Sequence, residues 1–238
     1  MKFLRRYFKY RDSKLAYKLG EYLLRALPLP KWVVVRTRYG YLLFPKDFRI
    51  FSMTLDLIEP EIQDTLEAWL KEADVFIDIG AAEGYYILKA HKLNPHAVKI
   101  AIEPDPVAFS ILKANLAINS ILKDSVIVLD VACADEEKKV AIASCLSNTQ
   151  TERLAKPLDK ILEELKIELS KRSLILIDVE GAGEKVVLGG INTLKRFHPR
   201  IIMELHRGEE NVENILKSLA YTVSKPSRHF IIAEWQGQ

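Results

Sequence analysis

From Val75 onward the chain alternates short apolar runs with amphipathic stretches, and that alternation leaves few folds open. VFIDI (75–79), VKIAI (98–102), SVIVLDVA (125–132), KVAIAS (139–144), SLILIDV (173–179) and RIIMEL (200–205) read as strands. Most are apolar on both faces, as strands buried between two layers must be. Helical periodicity fills most of the gaps, near 84–93, 106–119, 158–171 and 183–196. Strands and helices in that order predict an α/β fold with a doubly wound, mostly parallel sheet. The last segment, 210–235, reads as a helix followed by a strand pair.

Upstream of this series, WVVVRTRYGYLLFP (32–45) reads as a hairpin around Tyr39-Gly40. A helix is expected over about 59–72, with Ile62, Leu66, Trp69 and Leu70 on one stripe. Residues 1–25 carry eight Lys and Arg against Asp12 and Glu21, a charge of +6 in a chain whose total is +3. Their apolar residues recur at helical spacing, so one or two amphipathic basic helices are expected there. Residues 1–58 thus read as a basic helical and hairpin extension, and residues 59–238 as the α/β domain. With 238 residues, 49% of them hydrophobic and 28% charged, the chain can bury a large core. No apolar run exceeds four residues, which predicts no membrane-spanning helix. The basic start runs on without an apolar secretory core, so the cytoplasm is the expected location, with peripheral membrane attachment open. Two cysteines make neither a disulfide framework nor a zinc site. Asn and Gln total only eleven, a thermophile-like composition.

In an open α/β sheet the ligand lies beyond the carboxyl ends of the strands, where strand order switches. The first strand of the series ends in Asp78-Ile79-Gly80-Ala81-Ala82-Glu83-Gly84, and a helix opens at about Tyr85. Small residues at 80–82 let backbone approach a ligand closely, and the helix start points free N–H groups at it. The spacing is Gly-x-x-x-Gly, so the dinucleotide fingerprint is not met and an NAD-dependent oxidoreductase is disfavoured. The second strand ends at Glu103, 23 positions after Gly80, followed by Pro104-Asp105-Pro106. An acid there suits the two hydroxyls of a ribose. Turn and acid together point to an adenosine-containing ligand without a 2′-phosphate. Read as structure alone, Asp78 is a turn residue and Glu103 an exposed strand end.

The run LILIDVEGAGEKVVLGG (174–190) carries the other signal. Asp178 and Glu180 sit where an apolar strand reaches the ligand edge, and the neighbouring strand ends in Glu204-Leu205-His206. Acids gathered at strand ends cost stability unless they bind something or move protons.

These parts resemble the FkbM-type family of S-adenosylmethionine-dependent methyltransferases. The resemblance runs from about Glu59 to His206, through EPEIQDTLEAWL, FIDIGAAEGYYILKA, AIEPDPVAFSILKANLAIN, DVACADEE, PLDKIL, LIDVEGAGEKVVLGG and PRIIMELH. It implies the Rossmann-like class I methyltransferase fold over 59–238, with seven strands of which the last is antiparallel, and O-methylation as the chemistry. By position it implies that Gly80, Ala81 and Gly84 line the methionine part of the cofactor, with Asp78, Ala82 and Tyr85 in the same turn. Glu103 would hold the ribose hydroxyls, Pro104 and Asp105 would lie beside adenine, and the Val131-Ala132 backbone would border its edge. Asp178 and Glu180 would face the sulfonium and the acceptor. The family usually has Asn where this chain has Ala82.

Methyl transfer from a sulfonium is an in-line displacement, promoted by holding the acceptor atom at near-attack distance. A hydroxyl acceptor also needs a base, for which Asp178, Glu180 and His206 are the candidates. The same groups could instead hold a divalent metal such as Mg²⁺, and their spacing does not decide between the two. The expected cofactor is S-adenosylmethionine, leaving as S-adenosylhomocysteine, with a small-molecule or glycan acceptor. The alternatives are an RNA methyltransferase and a non-catalytic module that binds an adenosine ligand or nucleic acid. Residues 1–25 are expected to meet an anionic membrane surface or RNA phosphate, or to remain a solvated basic face.

Overall fold

The computed structural model describes residues 30–237, apart from Phe48, Cys145 and Asn148. The one or two helices expected over residues 1–25 lie outside the described residues. The described chain opens with a hairpin, β1 (Trp32–Arg36) and β2 (Tyr41–Pro45), then α1 (Arg49–Thr54) and α2 (Gln63–Glu72). The alternating series follows as β3 (Val75–Ile79), α3 (Tyr85–Leu93), β4 (Val98–Ile102), α4 (Pro106–Ile118) and β5 (Ile127–Leu129). Next come β6 (Ala132–Cys133), β7 (Lys138–Ala143), β8 (Gln150–Lys156), α5 (Leu158–Leu165) and β9 (Leu174–Ile177). The chain ends with α6 (Gly183–Gly189), α7 (Ile191–Phe197), β10 (Arg200–Glu204), α8 (Val212–Ser218), β11 (Tyr221–Ser224) and β12 (Phe230–Trp235).

Seven strands form the main sheet in the order β11-β12-β10-β9-β3-β4-β5. Strand β12 runs antiparallel to both neighbours, and the other adjacent pairs are parallel. From β3 the chain moves to β4 and β5 on one side, then returns to β9 and β10 on the other. The switch in strand order therefore lies at β3 and β9, where a ligand crevice is expected.

Strand periodicity sorts the sheet into two faces. Phe76, Leu174, Leu176, Ile202 and Phe230 pack on one face with α2, α3, α4 and the hairpin. Ile77, Ile79, Ile175, Ile177, Ile201 and Met203 pack on the other with α5, α6, α7 and α8. Continuing the first alternation places Asp78, Asp178 and Glu204 on the hairpin face, at the carboxyl ends of three adjacent strands.

The hairpin is fastened to this face. Leu42 and Phe44 are fully buried in the core it shares with α2 and α3. The Asn115 side chain on α4 accepts from the Leu43 N–H at 2.6 Å and donates to the Leu43 and Glu83 carbonyls at 3.1 and 2.8 Å. One buried amide thus ties β2 to the glycine turn after β3. A buried charge network sits below it. Lys89 and Asp56, both fully buried, approach to 3.4 Å, and Lys89 lies 3.2 Å from Glu67. Tyr39 and Tyr85 donate to the two Asp56 oxygens at 2.9 and 3.0 Å, and Arg38 reaches in from the surface at 3.2 Å.

Several elements differ from the expected boundaries for identifiable reasons. SVIVLDVA is not one strand: β5 stops at Leu129, and β6 leaves the main sheet to pair with β8. KVAIAS belongs to that three-stranded side sheet rather than to the main one, as β7 antiparallel to β8. Its residues alternate between half-buried and exposed, which fits a strand with one covered face. Polar β8 (QTERLAK) offered no apolar run to announce it. Helix α5 ends at Leu165, where Lys166 turns left-handed at φ 56°. The helix expected over 183–196 breaks in two at Gly190. Helix α2 begins at Gln63, because Glu59, left-handed at φ 43°, and Pro60 form a turn first. Among the described residues no helix is long and apolar enough to cross a membrane.

Candidate functional site

The turn after β3 comes into backbone contact with the segment that follows β9. Gly80 has φ +90°, and a Cβ there would lie 1.9 Å from the Asp178 carbonyl oxygen. Gly84 has φ +87° and would push a Cβ to 2.3 Å from Leu112 Cδ1. Both glycines are required by position and by dihedral. Between them Ala82 is left-handed at φ 44°, a conformation that asparagine tolerates better. The Ala82 N–H donates to Glu103 Oε2 at 2.7 Å, and the Asp105 N–H donates to Glu103 Oε1 at 2.7 Å. Glu103 is 6% exposed, and burial pushes its carboxyl up to about 7 in spite of these two bonds. Asp105 caps α4 by accepting from the Val107 N–H at 2.9 Å, with Pro106 in the first turn. The side sheet reaches this loop through Arg153. Its Nε donates to the Pro104 carbonyl at 3.2 Å and lies 3.1 Å from Asp130 Oδ1, just before Val131 and the buried Ala132.

On the β9 and β10 side, carboxylates converge. Asp78 is 2% exposed, and its Oδ2 has no hydrogen-bond partner among the described residues. Burial, with the nearby charges of Asp178, Glu103 and Glu59, pushes the Asp78 carboxyl well above its ordinary range. Glu59 is pushed up to about 8, chiefly by burial and further by Asp178, although the Tyr86 hydroxyl donates to it. Glu204 is pushed up to about 9 by burial and then by Asp178. His206 bridges the outer rim: Nε2 lies 3.4 Å from Asp178 Oδ1 and Nδ1 lies 3.4 Å from Glu180 Oε2. Buried Glu209 holds that loop, accepting from the His206 N–H at 2.8 Å and from the Gly183 N–H at 2.5 Å. Asp178, Glu204 and His206 each offer a ligand atom within 4.8 Å of the others, so a divalent ion could be held there.

This cluster has a sign in thermal melts. Asp78, Glu59 and Glu204 bind protons more tightly folded than unfolded. Their contribution to stability is complete below the ordinary carboxylate range and is lost as pH rises through the folded values. Ligand-free protein is therefore expected to melt at progressively lower temperature from about pH 6 to about pH 9. A melting temperature that climbs across that interval would contradict burial of the acids.

The fold thus gathers two groups of the expected residues. Gly80, Ala81, Ala82, Gly84 and Glu103 surround the loops after β3 and β4; Asp178 and His206 lie across β9 and β10, with Asp78 between. Glu180 stands apart, its side chain 85% exposed and, among the described residues, meeting the cluster at His206. Sequence reasoning gave no role to Glu59, Glu209 or Arg153. Glu59 lies far upstream, and Arg153 sits on the strand that had no apolar signature. Glu209 follows a loop whose path the spacing does not reveal.

This strand order, with its reversed last strand and its ligand edge at β3 and β4, is the class I methyltransferase fold. Residues 78–225 match the methyltransferase FkbM domain, more than half of the chain. The chain belongs to that family of S-adenosylmethionine-dependent methyltransferases. It is similar in fold to methyltransferase FkbM from Methylobacillus flagellatus KT, at 16% identity and a TM-score of 0.53. That likeness covers 68% of this chain and 44% of the Methylobacillus chain, less than half of that protein's length. A SAM-dependent methyltransferase from Agrobacterium tumefaciens is similar over 89% of this chain and 72% of its own, at 11% identity and a TM-score of 0.52. No curated protein matches this chain.

Proposed function

We propose that this chain transfers a methyl group from S-adenosylmethionine to a hydroxyl of a sugar, lipid or small metabolite, with Asp178 as the base. The observation that carries the reading is the carboxylate cluster at Asp178, set directly against the glycine turn at Gly80. The donor set suits the cofactor. The buried, unpartnered Asp78 oxygen is suited to a cationic group, and each Glu103 oxygen keeps acceptor capacity for a ribose hydroxyl. When bound, the cofactor supplies an electrophilic methyl group on a positively charged sulfur.

Asp178 is the acid best placed to take the acceptor's proton. Its side chain is 39% exposed to the crevice, while its backbone N–H is fixed to the Ile79 carbonyl at 2.9 Å. Glu204, pushed up by burial and then by the Asp178 charge, lies beside it, and His206 flanks it. A carboxylate open to the crevice is within reach of an acceptor hydroxyl there. Glu209 acts on the position of His206 through the backbone.

The cofactor half of the reading has a direct test. Glu103→Ala is expected to weaken S-adenosylhomocysteine binding about tenfold or more, the loss of a charged partner's hydrogen bonds. Titration calorimetry on wild type and variant reads it, with Glu103→Gln as a control that preserves packing. Equal affinities in all three would take Glu103 out of the ribose site.

A further inference from the structure

The amino-terminal rim of the sheet carries a cavity that methyl transfer does not use. Helix α3 starts at the glycine turn and runs back along the strands, so its last residues lie far from Glu103 and Asp178. There a cavity of about 600 Å³ opens between the hairpin turn at 36–41, the end of α3 and the segment 118–121 after α4. It shares no residue with the crevice described above.

The lining is cationic. It includes Arg36, Arg38 and Lys92 and no carboxylate. Arg38 is engaged by Asp56 and Glu67. The Arg36 and Lys92 side chains have no ion pair or hydrogen bond among the described residues. His91 also lines the cavity, and its buried Nδ1 has no hydrogen-bond partner among the described residues. Behind it lies Lys99, 1% exposed, and burial together with the Lys99 charge holds the imidazole below its ordinary pKa. The carbonyl ends of α3 and α4 oppose this field by roughly half a charge each, which the two unpaired cations, Arg36 and Lys92, outweigh. A positive cavity with unpartnered cations calls for a compact anion.

The mouth is apolar where it meets solvent. Tyr41 is 48% exposed and Ile118 is 42% exposed, both in the lining. Leu122, one residue beyond the lining, is 73% exposed. A dissolved phosphate ester would leave those side chains in water, whereas a lipid headgroup brings an apolar phase to them. The chain just before the hairpin is also basic, with +6 over residues 1–25. Cations beside exposed apolar groups are the pattern that binds anionic bilayers.

We propose that this cavity takes the phosphate of an anionic phospholipid headgroup and seats the protein on a membrane surface through Tyr41, Ile118 and Leu122. Sedimentation of the full chain with phosphatidylglycerol or phosphatidylcholine vesicles tests it. Wild type is expected to sediment with the anionic vesicles and not with the neutral ones. The double variant Arg36→Glu/Lys92→Glu should lose about thirtyfold or more in vesicle affinity. Leu122→Asp should weaken vesicle binding but leave the weak binding of glycerol 3-phosphate unchanged. All three positions are exposed, and circular dichroism melts verify that each variant folds. A double variant that sediments like wild type would remove the cavity from the interaction. Binding of glycerol 3-phosphate without any sedimentation would make the occupant a soluble phosphate ester and overturn the membrane assignment. Salt-sensitive RNA binding that the double variant abolishes, with no vesicle binding, would overturn it too.

Discussion

Replacing Asp178 with asparagine is expected to slow methyl transfer about 10²–10⁴-fold while leaving S-adenosylhomocysteine affinity nearly unchanged. The amide keeps the shape of the carboxylate but cannot take a proton. Its backbone is held independently, by the hydrogen bond from the Asp178 N–H to Ile79, so the glycine turn has no reason to move. The measurement is S-adenosylhomocysteine release with whichever cell-extract fraction supports turnover, paired with calorimetry for the cofactor. Turnover equal to wild type would shift the base to His206 or Glu180. A parallel loss of cofactor affinity would mean that Asp178 serves binding rather than proton transfer.

The largest effect on stability is expected at Lys89. Lys89→Met should destabilise the fold by about 3–5 kcal/mol, as removal of one partner from a buried ion pair does. The cost arises from what remains: Asp56, fully buried, and Glu67 would keep the phenols and Arg38 but lose the ammonium between them. Urea unfolding of the two proteins measures it. A difference below about 1 kcal/mol would mean that the network is solvated like a surface pair. Because Tyr85 opens α3 and bonds Asp56, the same substitution should loosen the helix start beside the glycine turn.

Much of this architecture was legible in the chain. Doubly apolar strands separated by amphipathic helices leave a parallel sheet as the packing that buries both faces. Period-2 alternation then places Asp78, Asp178 and Glu204 on one side of it. Glu103 was legible as the acid that ends the second strand, while its bonds to the Ala82 and Asp105 N–H groups depend on a loop path that spacing does not show. The side sheet was misassigned because β7 and β8 are covered on one face only, so their sequences resemble surface. Glu59 comes in from a turn and Arg153 from the middle strand of the side sheet, and their paths depend on packing that no local period encodes. Helix ends at Lys166 and Gly190 turn on single residues in special conformations, which pattern reading smooths over.

The contact between Gly80 and the Asp178 carbonyl sets a length scale for the crevice. With no room for even a methyl group, the two halves of the site abut main chain to main chain. Rotamer hops cannot alter that spacing, because the nearest approach is to the Asp178 carbonyl and not to a side chain. The separation between the glycine turn and the root of the Asp178 side chain is therefore a hard-wall quantity, as fixed as the strand spacing itself. The outer residues are set differently: Glu180 is exposed, and His206 stands on a loop held by the buried Glu209 side chain.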